Sequence, residues 1–386
     1  MTDLTKKDAG PPPYDGVRIL DLTHRYGVYA GRLFADLGAE VIRVEPAGGL
    51  PDRGPSSKPD PRFTFLNANK KSVVLDFDAP QAQARLDALL ASAQAVFVER
   101  DGPLYDAVAS LRAANPRAVV TAVSPYGMTG PLADAPASDL VLQAAGGIAW
   151  MSGRIEREPL ALPFSQATMV GSIYAATVTA IALHHAEATG HGHLIDVSVQ
   201  ECIAHSLQNA LQVWDLEQRI SVRGGEGTRD ATEDIFPCRD GFVFLASPLA
   251  VGNSWKSLVA WMKEIGHPAG EVFSQERWSS REWRLTREAR EEFRENFTAF
   301  STLFDKEEMA RQAIARRVVM GPVSRIGDVL DDPQLAYRDF FTPVDAGDGT
   351  TLRFPGAPYK LTPQVWATAR PPALGEHNAA VEELSA

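Results

Sequence analysis

Between residues 17 and 45 the chain spells out a strand, a helix and a second strand, and this unit limits its fold more than any other feature. Val17–Leu22 is a short apolar strand. Val28–Leu37 is a helix stopped by Gly38, and Glu40–Glu45 is the second strand. A helical connection of this length joins parallel strands, because it carries the chain back to start the next strand in the same direction. The pattern repeats with strands at Lys71–Phe77, Ala95–Glu99 and Ala118–Val123 and a helix at Gln81–Ser92. Such repetition predicts an α/β fold with a doubly wound, Rossmann-like parallel sheet. Gly171–Ala188 reads as a long helix, apolar around most of its surface and therefore buried. Thr189-Gly190-His191-Gly192 ends it, a strand follows at His193–Ser198, and Val199–Leu216 is a further helix.

The rest of the chain differs in texture. A polar, proline-rich arm of residues 1–14 precedes the first strand. Residues 15–222 form the first part of the large domain, and the glycine-rich stretch Arg223–Thr228 opens a smaller α+β domain over 223–318. That domain is more charged and aromatic, with tryptophans at 255, 261, 278 and 283 placed as core. Residues 319–386 return to the large domain. The net charge is −11 and no basic stretch offsets it, which argues against a nucleic-acid partner. Cys202 and Cys238 stand apart and form no metal or redox motif, so a reducing cytoplasm is the simplest setting. No run of 18 consecutive apolar residues predicts a membrane span.

Several segments then resemble one family in order along the chain. They are residues 17–45, Leu66-Asn67-Ala68-Asn69-Lys70-Lys71-Ser72-Val73, Ser124-Pro125-Tyr126-Gly127, Gln143–Gly147, Thr189–Gly192 with Ile195–Ser198, Asp332-Pro333-Gln334, and Leu374-Gly375-Glu376-His377. Together they are similar to the family III coenzyme A transferases, a group that includes formyl-CoA transferase, the carnitine and bile-acid CoA transferases and α-methylacyl-CoA racemase. The resemblance implies a Rossmann-like large domain, a small domain and two chains threaded into an interlocked dimer. It also implies coenzyme A or an acyl-CoA as ligand.

Those transferases attack the donor thioester with an aspartate four residues before a glycine. If that glycine is Gly171, Ala167 stands at the nucleophile position. A register one or two residues away brings Gln166, Thr168 or Met169 instead, and no Asp or Glu occurs between Glu158 and Glu187. A residue that must itself become an activated acyl group has to be a carboxylate. The racemases place a histidine where this chain has Ser138, and serine is a poor general base near neutral pH. The resemblance therefore implies a subunit of a heteromeric transferase whose partner is an aspartate-bearing paralogue. The alternatives are a homodimer with altered chemistry at Asp139 or Glu99, and a coenzyme-binding scaffold without turnover.

The candidate coenzyme contacts are His24, Arg25, Asn67, Asn69, Lys70, Lys71, Arg100, Tyr126 and Gly127. His24 follows the first strand, where α/β proteins bind ligands, and reads either as a contact or as a loop residue. Asn67 to Lys71 could hold a nucleotide phosphate or form a solvated turn. Arg100 could bind phosphate as a fork, beside an Asp101 that repels it. Asp139 is the acidic candidate of the middle motif, with helix capping as its plainer role and Ser138 able to do the same. The pattern His184, His185, His191 and His193 looks like a metal cluster, but helical divergence and the glycine turn argue against one. Asp196 and Glu201 read as structural.

Overall fold

The structure is a computed structural model that describes residues 10–54, 60–100, 105, 115–223, 229–346, 349–361 and 364–379. The outer end of the N-terminal arm, Asp101 and residues 224–228 of the glycine-rich stretch lie outside the described residues. Two compact units are present. One comprises residues 1–149, 161–212 and 334–386, and the other residues 150–160 and 213–333.

The larger unit holds a six-stranded parallel sheet. Its strands are β1 (Arg18–Leu22), β2 (Glu40–Glu45), β3 (Lys71–Val74), β4 (Ala95–Glu99), β5 (Val119–Ser124) and β6 (Leu194–Ser198), in the order β3-β2-β1-β4-β5-β6. Side chains alternate across it as the strand period demands. Ile19, Val41, Phe97 and Val119 face one core, where α1 (Val28–Ala35) packs. Leu20, Ile42, Val96 and Val120 face a second core, completed by Leu86, Leu89 and Leu90 of α3 (Ala82–Ser92). Covering on both faces explains the nearly continuous apolar strand text. The C-terminal segment covers edge strand β3, where the Ser72 and Val74 N–H groups donate to His377 Nδ1 and Asn378 Oδ1.

Most elements shift from their expected ends by a residue or two, and three depart further: β3, the long helix and the helix that follows it. β3 stops at Val74, short of the expected Phe77. The short helix after Ser138, α4, covers Asp139–Ala145. The long helix, α5, spans Gln166–Thr189 and so starts five residues ahead of Gly171. It is long and apolar enough to cross a membrane. Here it is a core helix: its alanines pack against the sheet and its Thr179 hydroxyl bonds that of Thr121 at 2.6 Å. The helix expected at Val199–Leu216 is two helices, α6 (Val199–His205) and a second at Gln208–Glu217. At the break the Ser206 hydroxyl donates to the Cys202 carbonyl at 2.9 Å, a local bond that competes with the helical ladder.

The smaller unit contains the antiparallel strands Glu233–Cys238, Gly241–Ala246 and Met320–Pro322. Its core is aromatic. Trp255, Trp261, Trp278, Phe293 and Phe297 are buried in it, and Trp283 packs at its edge.

Candidate functional site

The strand order reverses between β1 and β4, and the loop from β1 into α1 crosses that point. In doubly wound folds this is where ligands sit against a helix N-terminus. Here the place is taken by a side chain. Glu99, at the end of β4, accepts the Arg25, Tyr26 and Gly27 N–H groups on one carboxylate oxygen, at 2.8, 2.5 and 3.1 Å. His24 Nδ1 lies 3.0 Å from the other oxygen. Burial pushes the Glu99 carboxyl up, but the His24 ring and the backbone donors outweigh it and hold the group below its usual range. Gly27 has no room for a side chain, since a Cβ there would lie 2.8 Å from Thr23 Cγ2. The loop therefore wraps its own carboxylate closely, and His24 serves as one wall of that nest.

The asparagine–lysine segment is largely internal. Lys70 Nζ is buried and donates to Asp21 Oδ2 (2.6 Å), the Val28 carbonyl (2.7 Å) and Asn67 Oδ1 (3.0 Å). That uses all three ammonium protons and leaves none for a phosphate. Burial holds the Lys70 amine below its ordinary range, against the pull of Asp21. Asn67 is also buried, where it accepts from Arg43 at 3.2 Å. Arg43 pairs with Asp52 and Glu45, and Arg53 with Glu45. Burial raises the Glu45 carboxyl, but Arg53 and Arg43 together bring it below its usual range. Asn69 is left-handed (φ 62°), donates to Asp36 and to the Ala367 carbonyl, and accepts the Ala369 N–H. Lys71 stands at the surface, paired with Glu40 at 2.5 Å.

The remaining candidates lie apart from this network. Arg100 donates to the Met128 carbonyl and pairs with Asp134 at 2.5 Å. Tyr126 packs half-buried against the core. Gly127 has a positive φ of 92°, and its N–H bonds Ser124 Oγ at 2.9 Å. Asp196 accepts the next N–H, from Met128, at 2.9 Å, a structural task. His185 and His193 share a hydrogen bond of 2.9 Å. Among the described residues, no group of three or more His, Cys, Asp or Glu side chains is arranged to hold a metal ion.

An open cavity of about 370 Å³ lies where the β1–α1 loop, the helix α2 (Pro61–Leu66) and the start of α5 come together. Arg25 and Arg62 supply cations, Phe65, Phe164 and Met169 supply apolar walls, and among the described residues no acidic side chain lines it. Phe164 is 85% exposed and left-handed at φ 62°, a strained backbone for a bulky residue. The first turn of α5 turns Gln166, Thr168 and Met169 toward the cavity, whereas the Ala167 methyl is fully buried in the apolar core. Ala167 thus faces away from the cavity, and of the neighbouring registers Thr168 occupies the inward-looking position. Asp139 does not cap its own helix. Ser138 does so by accepting the Val141 N–H, and the Asp139 carboxylate crosses to α5, where it accepts the Thr168 N–H (2.8 Å) and hydroxyl (2.5 Å). Its other oxygen accepts Gln143 Nε2 at 2.7 Å.

The comparisons with known proteins agree with one another. The family model for CoA-transferase family III matches residues 14–378. The chain belongs to CoA-transferase family III. A family III relative from Thauera aromatica, the succinyl-CoA:(R)-benzylsuccinate CoA-transferase subunit BbsE, is 34% identical over 93% of this chain and 91% of that protein. The succinate–glutarate CoA-transferase of Agrobacterium fabrum is 27% identical over 99% of this chain and 97% of its own length. A solved structure of a CaiB/BaiF family protein from Brucella suis superposes with a TM-score of 0.84 at 23% identity, covering 98% of this chain and all of that one. It shares the family III fold.

Sequence reasoning passed over Asp21, Arg62 and Phe164. The run Asp60-Pro61-Arg62 does carry a helix-start signal, an acidic cap followed by proline, and Asp60 indeed accepts the Arg62 N–H at 2.8 Å. Nothing local marks Phe164 for a left-handed backbone.

Proposed function

We propose that this chain is the non-catalytic subunit of a heteromeric coenzyme A transferase. It shapes the acyl-CoA site but does not supply the attacking group. Its partner is an aspartate-bearing relative, with which it forms the interlocked dimer expected of the family, in the cytoplasm. One observation carries this reading: among the described residues, neither the cavity lining nor the first turn of α5 supplies a carboxylate. Transfer of coenzyme A requires an oxygen nucleophile that attacks the thioester carbonyl, expels the thiolate and is then itself acylated. The Ala167 methyl cannot do this, and a Thr168 hydroxyl would form an ester rather than the mixed anhydride that a returning thiolate opens. Asp139 and Glu99 are poor substitutes, because the fold itself engages their oxygens, through Thr168 and Gln143 for Asp139 and the Arg25, Tyr26 and Gly27 amides for Glu99. The description of the T. aromatica relative as one subunit of such a transferase supports the same reading. The two buried free thiols suit a reducing compartment. For coenzyme contact, Arg25 and Arg100 remain the better placed of the expected residues, since Lys70 and Asn67 are spent internally.

The test is to assay thioester exchange by the chain alone, by an aspartate-bearing relative alone, and by the two mixed. The expected result is no exchange and no acyl adduct on this chain alone, with exchange in the mixture. Turnover by the chain alone, or an acyl group trapped on one of its carboxylates, would overturn the reading. Thr168→Asp combined with Asp139→Asn, which removes the carboxylate charge 2.5 Å from the Thr168 hydroxyl, places a carboxylate at the cavity and is expected to gain exchange where Ala167→Asp, aimed into the core, does not.

A further inference from the structure

We infer that the cavity at the start of α5 binds an organic acid with an apolar body and a second, free carboxylate, and that Arg62 selects it through that carboxylate. The inference rests on the transferase reading and names the substrate class of the same site. Three properties of the cavity carry it.

The first is size. About 370 Å³ lies at the small end of the roughly 300–1,000 Å³ typical of small-molecule sites. That admits the acyl portion of a thioester and excludes its nucleotide. The second is lining. Val28, Phe65, Leu66, Phe164 and Met169 give it apolar walls, so a body of aryl or branched hydrocarbon character gains from burial while a bare short dicarboxylate gains little. The third is charge. Two arginines line it and, among the described residues, no acid does, so a ligand carboxylate meets attraction without opposing repulsion from those walls.

Arg62 stands out among the arginines of this region. Arg32 pairs with Asp36, Arg43 with Asp52 and Arg53 with Glu45. The Arg25 guanidinium reaches the Tyr26 hydroxyl at 3.3 Å and leans over its ring, which ties it to the loop. Arg62 is exposed on the cavity rim and pairs with no carboxylate among the described residues. Its backbone is nevertheless fixed, because Asp60 caps the helix through the Arg62 N–H and Pro61 occupies the first helical position. A planar fork on an anchored backbone can engage a carboxylate with two parallel hydrogen bonds.

The experiment is calorimetric titration of the full chain, or of its complex if the partner copurifies, with three acids. Benzylsuccinate has both features, 3-phenylpropanoate lacks the second carboxylate, and succinate lacks the apolar body. Benzylsuccinate is expected to bind about tenfold or more tighter than either. Arg62→Gln is expected to remove about that factor for benzylsuccinate and to leave 3-phenylpropanoate within about twofold, with Arg62→Lys in between. The melting curve of each variant checks that the fold is unchanged. Equal binding of benzylsuccinate and 3-phenylpropanoate, or no effect of Arg62→Gln, would overturn the inference. No turnover is read, so that failure leaves the transferase reading to the mixing experiment. An inactive mixture with selective acid binding intact would overturn the transferase reading and leave the acid site standing.

Discussion

Two polar regions meet at Val28, whose carbonyl holds Lys70 and which also lines the cavity, and they treat charge in opposite ways. Around Asp21, Arg43, Glu45 and Lys70 the cations are buried and matched with carboxylates. Around the cavity two arginines face an opening with no acid among the described residues of its lining. The first region is saturated. Its charges have been taken out of water, and each is tolerable only while its partner remains. In the second region Arg62 is exposed and pairs with no carboxylate among the described residues, which is the condition for capturing one from outside. A motif rich in Asn and Lys therefore says little about ligand binding until the location of its counter-charges is known.

The largest effect should come from breaking the saturated side. Lys70→Met leaves the Asp21 carboxylate buried and unpaired, and equilibrium denaturation should show a loss of about 3–5 kcal/mol. A loss below about 1 kcal/mol would mean that Lys70 is a solvated residue and that the contrast fails. Asp36 tests the same side through pH. It is buried beside Arg32 and Asn69, and burial pushes its carboxyl up to about 6 despite Arg32. Because its folded value is raised, its contribution to stability is full below the unfolded value near 4 and is lost as pH rises through 6. Asp36→Asn should therefore match the parent near pH 4 and exceed it by about 1–3 kcal/mol at pH 8, as read by denaturation at both pH values. A constant difference across that range would sink the assignment. The smallest effect belongs to the start of α5. Asp139→Ala removes the cross-helix cap of α5 and should cost about 1 kcal/mol, seen as a lowered melting temperature. An unchanged melting temperature would mean that water replaces the carboxylate at the Thr168 N–H.

The sheet was legible because its evidence is local. Strands buried on both faces give apolar runs, and the Gly38 stop and the Thr189–Gly192 turn mark the joints between elements. The absence of Asp and Glu between Glu158 and Glu187 can be read directly from the sequence. What could not be read were facts that depend on distant partners. Lys70 looks like a surface lysine until Asp21, far away in the chain, is placed beside it. Asp139 looks like the cap of the helix it begins, and only the packing of α4 against α5 shows that it caps the other one. Whether Ala167 or Thr168 faces the cavity depends on where α5 starts. Its start at Gln166 was invisible because the stretch before Gly171 carries no side-chain cap of its own.

The Glu99 nest has a consequence for handling the protein. Its carboxylate is tethered to β4 and held against three amides. Its effective concentration there is set by geometry, and a diffusible phosphate or sulfonate would have to displace it from a seat it never leaves by dilution. Dye-affinity resins and nucleotide analogues that capture ordinary doubly wound proteins through the loop after β1 should find that loop already occupied.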